Sequence, residues 1–346
     1  LQREASSKFG FSARNTLAIA QSLYERHKLL TYPRTDSKCL PEDYVDTIKS
    51  HIKDFANSIA NTSLHQQIID SSSKVIENNW IKQNKRIFND SKISDHFAIV
   101  PTGKIPTAGL KEQEQKIYDL VTRRLVAIFY PSAEFETTRR ITRINNDSFL
   151  TTGKILVTPG FLEVYGRKPG VATEKNELIP AETGDKAETL NIEIKSEETK
   201  PPARFNEATL LGAMETAGKR IDDDELKEAM KERGLGTPAT RAAIIEGLIA
   251  HKYLFRHEQQ KRDLVVSNKG LALIDLLNDI GIDALSSPEL TGEWEYKLKQ
   301  MESGKLSREI FMEEIKTLTE EIVNRTSLKT VSYTHLRAHE TPEHRG

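Results

Sequence analysis

The sequence predicts an α+β chain of several domains, in which two mainly helical regions flank a small antiparallel β region. Its length of 346 residues suits two or three domains of ordinary size. Helical periodicity prevails in residues 1–130 and 201–328, whereas residues 131–200 are rich in Thr, Ile and Val with turn residues between them. These contrasts define a helical domain, a β-rich connecting domain and a second helical domain, in that order.

The composition narrows the class of protein. The 50 Lys and Arg residues and the 51 Asp and Glu residues leave a net charge of −1, so any nucleic-acid site must be local. The single cysteine, Cys39, excludes a disulfide framework and a thiolate zinc site within this chain, and it fits a reducing, cytoplasmic setting. No apolar run approaches the roughly 20 residues that span a bilayer, so we expect no membrane partner.

The first helical region contains one strongly amphipathic segment and one extended segment. Residues 12–28 have apolar side chains at helical spacing, and Ser12 can cap the helix. The run LLTY that follows is predicted to be a short strand or extended turn, because Pro33 biases Tyr32 away from helical geometry. Residues 41–130 are predicted to be mainly helical, with polar interruptions.

The β region begins after Pro131. Its segment ETTRRITRINNDSFLTTGKILVTPGFLEVYG combines β-branched residues with Asn, Asp and Gly at the turns, which is typical of a hairpin. The segment ETLNIEIK, residues 188–195, has alternating apolar residues and predicts another strand.

The second helical region contains a helix, two short strands and a helix. In GLGTPATRAAIIEGLIAHKYL, Thr237 can cap a helix and Pro238 suits its first position. A hairpin is predicted from YLFRH and DLVVS with EQQKR as its turn, and KGLALIDLLNDIG is predicted to be the second helix. This order is that of a winged-helix-like domain.

The extended segment YPRTDS groups residues that suit attack on a phosphodiester. Free tyrosine has a pKa of about 10, so a tyrosine nucleophile needs a nearby cation or base. On an extended backbone Arg34 lies on the same side as Tyr32, where it could stabilise the phenolate or bind a phosphate with two hydrogen bonds. Thr35 and Ser37 could donate to phosphate oxygens, and Asp36 could hold Arg34 in place.

Such an attack would exchange one phosphate ester for another and would need no external energy source. The sequence has no G-x-x-x-x-G-K-[ST] phosphate loop. The residues by themselves leave another interpretation open, because a tyrosine after an apolar run is usually a packing residue and Thr-Asp-Ser is ordinary turn chemistry.

YPRTDS resembles the active-site signature of type IA DNA topoisomerases. Other segments resemble the same family in the same order, over about residues 1–328, and GTPATRA and SPELTGEWE look more like its topoisomerase III subgroup. These segments are LQREASSKFGFSARNTLAIAQSLYE (1–25), SDHFAIVPT (94–102), PPARFNEATLLGAME (201–215), GLGTPATRAAIIEGLI (234–249) and SPELTGEWEYKLKQMESGK (287–305).

The resemblance implies a role for individual residues. Tyr32 matches the nucleophile that cuts one strand and holds its 5′-phosphate, and Arg34 matches the arginine that positions the scissile phosphate. His96, within HFAIVPT, matches a histidine that contacts DNA or assists proton transfer. Taken alone, His96 would be interpreted as a hydrogen-bonded surface residue.

The start of the helix in GTPATRA is a second candidate DNA contact. Thr237, Thr240 and Arg241 lie there, and hydroxyl groups at the positive end of a helix suit phosphates. A plain helix cap with a solvated arginine is the alternative. Tyr253 and Arg256 on the predicted wing are weaker candidates.

The resemblance also implies a metal site that we do not find in this sequence. The family binds Mg²⁺ in a Toprim domain, with a glutamate and a D-x-D pair, before the segment that opens this chain. Asp222–Asp224 spell D-x-D, but they begin a predicted helix that ends in Lys231 and Arg233, which is ordinary helix-dipole complementarity. We therefore expect a fragment that is inactive by itself, with no metal ligands of its own.

The end of the chain departs from the family. VSYTHLRAHET, residues 331–341, resembles the conceptual translation of a sequencing-adapter oligonucleotide. We treat residues 329–346 as a disordered tail that arises from read-through, and we expect no packed structure there.

The leading hypothesis is therefore a fragment of a monomeric topoisomerase III-like enzyme. It would act on single-stranded DNA in the bacterial cytoplasm, at the nucleoid. The alternative is a non-catalytic winged-helix DNA-binding module. A tyrosine recombinase would also use a phenol nucleophile, but late in the chain, and Tyr32 is early.

Overall fold

The computed structural model describes residues 1–58, 64–93, 95–106, 109–168, 181–186, 188–220, 226, 234–257, 263–281 and 285–336. The chain divides into two compact units. The first comprises Leu1 and Asn15–Pro202, and the second comprises Gln2–Arg14 and Ala203–Gly346. Helices and small antiparallel sheets occur together, which confirms the predicted α+β class.

The described residues form helices and strands that we number in chain order. The helices are α1 (Gln2–Phe9), α2 (Ala13–Glu25), α3 (Val45–Ala56), α4 (Gln66–Glu77), α5 (Glu112–Ala127), α6 (Glu207–Glu215), α7 (Arg241–Ala250), α8 (Asn268–Ile280), α9 (Glu289–Glu302) and α10 (Arg308–Leu336). The strands are β1 (Glu134–Ile144), β2 (Asp147–Thr158), β3 (Leu254–Arg256) and β4 (Leu264–Val266). None of the helices in these ranges is both long and apolar enough to cross a membrane.

The core of the first unit is built on α3, α4 and α5. In α3 the apolar residues recur four and three positions apart, so they share one face and are buried together. Burying each of these side chains contributes about 1.5–3 kcal/mol. The fully buried members of the three helices include Ile48, Ile52, Phe55, Ile68, Val75, Ile117 and Tyr118.

A buried carboxylate connects the start of α5 with α2. Glu114 accepts hydrogen bonds from the Ser22 hydroxyl at 2.7 Å and from the Lys111 N–H at 2.9 Å, and the Nε2 atom of His27 lies 3.3 Å away. Burial opposes ionisation of Glu114, but these hydrogen bonds outweigh it and lower its pKa. The end of α2, which leads into YPRTDS, is thereby fixed to the core.

The predicted hairpin is confirmed as β1 and β2. The strands are antiparallel from Phe135↔Leu156 to Ile144↔Asp147, and Asn145 takes the positive φ of 55° that the tight turn requires. The predicted strand at 188–195 was wrong, because those residues form no strand. Leu190 and Ile194 are 89% and 90% exposed. Alternating apolar residues favour a strand only where a partner buries one face.

The second unit contains the predicted helix–hairpin–helix. Strands β3 and β4 pair from Leu254↔Val266 to Arg256↔Leu264 between α7 and α8, and the Ser267 hydroxyl caps α8 by accepting from the Gly270 N–H at 3.0 Å. The predicted turn at 258–262 lies outside the described residues, as do Asp222–Asp224 with their predicted helix end at 231–233.

Glu207 ties several parts of the second unit together. Its buried carboxylate accepts from the Ala13 N–H at 2.8 Å and from the Arg256 guanidinium at 2.6 Å. The hydrogen bond with Glu207, followed by nearby negative charge that includes Glu246, raises the pKa of Arg256. Arg256, a weak DNA-contact candidate, is therefore engaged by two carboxylates.

Helix α10 extends to Leu336, beyond residue 329, where we expected the tail to begin. The segment KTVSYTHL, residues 329–336, contains neither Gly nor Pro, so nothing in its composition terminates a helix. Residues 337–346 lie outside the described part of the chain.

Candidate functional site

The segment that carries YPRTDS lies between two other extended segments of the first unit. On one side the Thr31 N–H donates to the Val100 carbonyl at 2.9 Å, and the Thr102 N–H donates to the Leu29 carbonyl at 3.0 Å. On the other side the Leu40 N–H donates to the Ile87 carbonyl at 2.7 Å. The extended geometry predicted next to Pro33 therefore has partners that are more than 40 residues away in the chain.

The Thr31 hydroxyl reinforces this pairing. Its Oγ1 atom accepts from the Val100 N–H at 2.9 Å and donates to the Ala98 carbonyl at 3.1 Å. One hydroxyl thus satisfies two backbone groups of the segment that begins at His96. The two extended segments are held in register immediately beside Tyr32.

Tyr32 lies between two aromatic rings. Its ring centroid is 4.2 Å from that of His96, with an angle of 46° between the planes, and 5.5 Å from that of Tyr24 in an edge-to-face arrangement. Tyr32 is half-buried and His96 is exposed. The structure therefore brings together two of the predicted site residues at a surface, and the phenol is not enclosed in an apolar core.

Arg34 is exposed and is oriented by a residue that the sequence analysis missed. Its NH2 group donates to Oε1 of Gln21 at 3.0 Å, and Nε2 of Gln21 donates to Glu25 at 2.8 Å. Gln21, Tyr24 and Glu25 are spaced three residues and one residue apart, so one side of α2 faces the YPRTDS segment. The helical spacing along α2 was visible in the sequence, but it indicated only that this helix packs against the rest of the protein.

The hydroxyl groups of Thr35 and Ser37 are used within the protein. Thr35 Oγ1 donates to the His96 carbonyl at 2.7 Å, and Ser37 Oγ donates to the Lys92 carbonyl at 3.0 Å. Both bonds hold the YPRTDS segment against the stretch from Lys92 to His96. Contact of Thr35, Asp36 and Ser37 with phosphate stays a prediction, and Asp36 is exposed between the two hydroxyls.

Behind the His96 segment, His51 of α3 packs against Gly103. Gly103 has a φ of +79°, and a Cβ atom there would lie 2.4 Å from Cδ2 of His51, so glycine leaves the room that the imidazole needs. Burial lowers the pKa of His51, while Asp54 and the Pro101 backbone act in the opposite direction. The lowered pKa favours the neutral form of the imidazole on which the far end of the segment rests.

The candidate contacts at the start of α7 lie in the second unit. The Thr237 N–H donates to Oγ1 of Thr240 at 2.8 Å, and the Arg241 N–H donates to the Thr237 carbonyl at 3.0 Å. Helix α7 begins at Arg241 with Thr240 as its N-cap residue, so the predicted cap at Thr237 lies three residues before the observed one. Arg241 is only 9% exposed. DNA contact by Thr237, Thr240 and Arg241 stays a prediction.

Magnesium has no site among the described residues. They contain no group of three or more His, Cys, Asp or Glu side chains placed to hold a metal ion. The described residues therefore offer no such set of ligands for the Mg²⁺ that the resemblance implies, and no step of the proposed chemistry passes through a metal.

A sequence model described as DNA topoisomerase matches residues 1–313. The chain therefore belongs to the DNA topoisomerase family. Within the family it is a type IA, topoisomerase III-like protein. A DNA topoisomerase 3 of Bacillus cereus is 41% identical over 344 residues, and that of Bacillus subtilis (strain 168) is 36% identical over 343 residues. The resemblance found in the sequence is confirmed.

These alignments cover 97% of this chain but 45% of each relative, so the chain spans a little under half of their length. The fold is similar to that of full-length topoisomerase I from Thermotoga maritima. The TM-score is 0.62 at 23% identity, and the match covers 94% of this chain and 48% of that one.

Proposed function

We propose that this chain is the strand-cleaving part of a type IA DNA topoisomerase. In this proposal Oη of Tyr32 attacks a phosphorus atom of one DNA strand. The Oη–P bond forms, the bond from phosphorus to the 3′ oxygen breaks, and the 3′ oxygen takes up a proton while the phenol loses one. The reverse reaction reseals the strand after another strand has passed, so ATP is not required.

The observation that supports this proposal is the position of Tyr32. The phenol ring lies 4.2 Å from the His96 ring, measured between centroids, at a surface and two residues before the exposed Arg34. In the proposal His96 contacts DNA or assists proton transfer at this oxygen. Arg34, whose NH2 group is already held by Gln21, binds the scissile phosphate with its remaining N–H groups.

The proposal also covers properties of the full-length enzyme. Because the chain spans 45% of its relatives, relaxation or unlinking of DNA would require residues beyond these 346. We propose single-stranded DNA as substrate, a monomeric state, a cytoplasmic location at the nucleoid, and Mg²⁺ supplied by a Toprim domain outside this chain. We expect the chain alone to bind DNA without cleaving it.

The helix–hairpin–helix of the second unit favours the alternative of a non-catalytic DNA-binding module. Such a module would bind DNA with a steep dependence on salt and would form no covalent adduct. Covalent capture of DNA therefore distinguishes the two functions.

The test uses a chimera in which this chain replaces the matching segment of the Bacillus cereus relative. A labelled single-stranded oligonucleotide should become covalently attached to the chimera, and Tyr32→Phe should abolish the attachment because the attacking oxygen is gone. Tyr24→Phe is the matched control, since it removes the hydroxyl of the ring that packs on Tyr32 and should leave capture within about threefold of the parent. Persistent capture by the Tyr32→Phe protein, read on a denaturing gel, would refute the assignment.

A further inference from the structure

The β1–β2 hairpin has two faces of different character. Because side chains alternate along each strand, Arg139, Ile141 and Arg143 share a face with their cross-strand partners. The register pairs these residues with Thr152, Leu150 and Ser148, and pairs Thr137 with Lys154. We call the exposed surface from Thr137 and Lys154 at one end to Arg143 and Ser148 at the other the arginine face.

The arginine face contains all but one of the hairpin's cations and none of its acids. Arg139, Arg143 and Lys154 are exposed, and in the described part of the chain no ion pair joins any of them to a carboxylate. The acidic residues of the two strands, Glu134, Glu136 and Asp147, alternate to the opposite face together with Arg140. The hairpin has similar numbers of cations and acids, but their positions along the strands place most cations on one face, so that face is positive.

The cations of the arginine face are distributed along the ribbon. At about 3.4 Å per residue, Arg139 and Arg143 are about 14 Å apart, and Lys154, opposite Thr137, is about 7 Å further along. Thr152, opposite Arg139, and Ser148, opposite Arg143, add hydroxyl donors. Ile141 and Leu150, which are 62% and 56% exposed, form an apolar pair in the middle.

We propose that the arginine face binds single-stranded DNA, at a surface distinct from the Tyr32 segment. The choice of DNA as partner rests on the proposed function. The spaced cations and hydroxyls match successive phosphates of a strand. The apolar pair between the cations suits bases, which a single strand leaves accessible and a duplex keeps stacked inside. The opposite face, with an excess of acids, repels the same ligand.

The experiment measures binding of a fluorescent 20-nucleotide oligothymidylate to the whole 346-residue chain by anisotropy, over a series of salt concentrations. The double variant Arg139→Ala/Arg143→Ala removes two cations of the face. It should weaken binding about tenfold, or about threefold for each exposed arginine. The slope of log affinity against log salt should fall by about 1.4, which corresponds to two phosphates of a single strand.

Arg140→Ala is the matched control, because it removes the same residue type from the same strand but from the opposite face. We expect it to bind within about twofold of the parent. Equal losses in Arg139→Ala and Arg140→Ala would indicate net charge instead of a face and would overturn the proposal. Affinity of the double variant within twofold of the parent would overturn it as well. Arg139→Lys/Arg143→Lys should recover most of the lost affinity.

Two further arms separate the possible outcomes. A duplex of the same length should bind more weakly than the single strand, and stronger binding of the duplex would overturn the stated occupant. Arg34→Ala reports on the Tyr32 segment. A loss of affinity in Arg34→Ala with none in the double variant would overturn this inference and leave the proposed function standing. A loss in the double variant alone would support the arginine face.

Discussion

The guanidinium of Arg241 is fixed by the turn that precedes its own helix. Nε donates to the Leu235 carbonyl at 3.0 Å, and NH2 donates to the Gly236 carbonyl at the same distance. Gly234 and Gly236 both have positive φ values, which bring these carbonyls toward the helix start. A buried arginine in this position stabilises the Gly-Leu-Gly turn, whether or not DNA binds nearby.

Replacing Arg241 should therefore change stability more than affinity for DNA. Arg241→Met keeps most of the volume but leaves two carbonyls without these donors, which should cost about 2–4 kcal/mol in the free energy of unfolding. Urea unfolding followed by circular dichroism measures that loss. Arg308→Met, at an exposed position in the first turn of α10, is the control and should cost less than about 0.5 kcal/mol. Weaker DNA binding at unchanged stability would instead identify Arg241 as a phosphate contact.

At the scale of elements, the decisive feature is the pairing of the Tyr32 segment with the His96 segment. The two meet through one bridge, Leu30↔Pro101, and through the hydrogen bonds of Thr31, Thr35 and Thr102. Each of these bonds therefore matters for the pairing, because the two segments do not form a longer ladder of backbone hydrogen bonds that could compensate for the loss of one. The spacing of the Tyr32 and His96 rings follows from this register.

Removing the Thr31 hydroxyl should loosen one identifiable amide. In Thr31→Val the side chain keeps its shape, but the Val100 N–H loses its acceptor at 2.9 Å. Hydrogen exchange at Val100 should become about tenfold faster, which corresponds to about 1.4 kcal/mol. Thr102→Val is the control, because the Thr102 hydroxyl donates to the Lys28 carbonyl and does not serve Val100. Unchanged exchange at Val100 would show that the hydroxyl is dispensable.

The sequence predicts an element well when the interactions that form it join residues close together in the chain, and poorly when they join distant residues. Local signals suffice for the β1–β2 hairpin and for the helix–hairpin–helix, since turn chemistry and periodicity are encoded within a few residues. They fail at 188–195, where alternation needs a partner that periodicity cannot supply. The meeting of Tyr32 with His96 is a tertiary contact across 64 positions, and only the family resemblance anticipated it.

At the scale of the whole molecule, a long exposed stretch of chain leads up to one of the boundaries between the two units. Residues 188–202 have no regular secondary structure, and all of them are exposed. The first unit ends at Pro202, and the second takes up the chain again at Ala203. Backbone without ladder hydrogen bonds or buried side chains opens at little free-energy cost, so this stretch is where the chain should be cut first.

Limited proteolysis tests this expectation at a chosen pair of lysines. Trypsin should cleave after Lys195 before it cleaves after Lys154, because Lys195 lies in unpaired backbone and Lys154 in the paired strand β2. Both side chains are exposed, so access of the protease to the lysine itself does not distinguish them. The early products, identified by mass spectrometry, should be residues 1–195 and 196–346. Earlier cleavage after Lys154 would mean that the β1–β2 hairpin opens more readily than this stretch. Resistance at Lys195 would mean that ETLNIEIK is protected after all. The alternation in its sequence would then report a strand partner absent from the described residues.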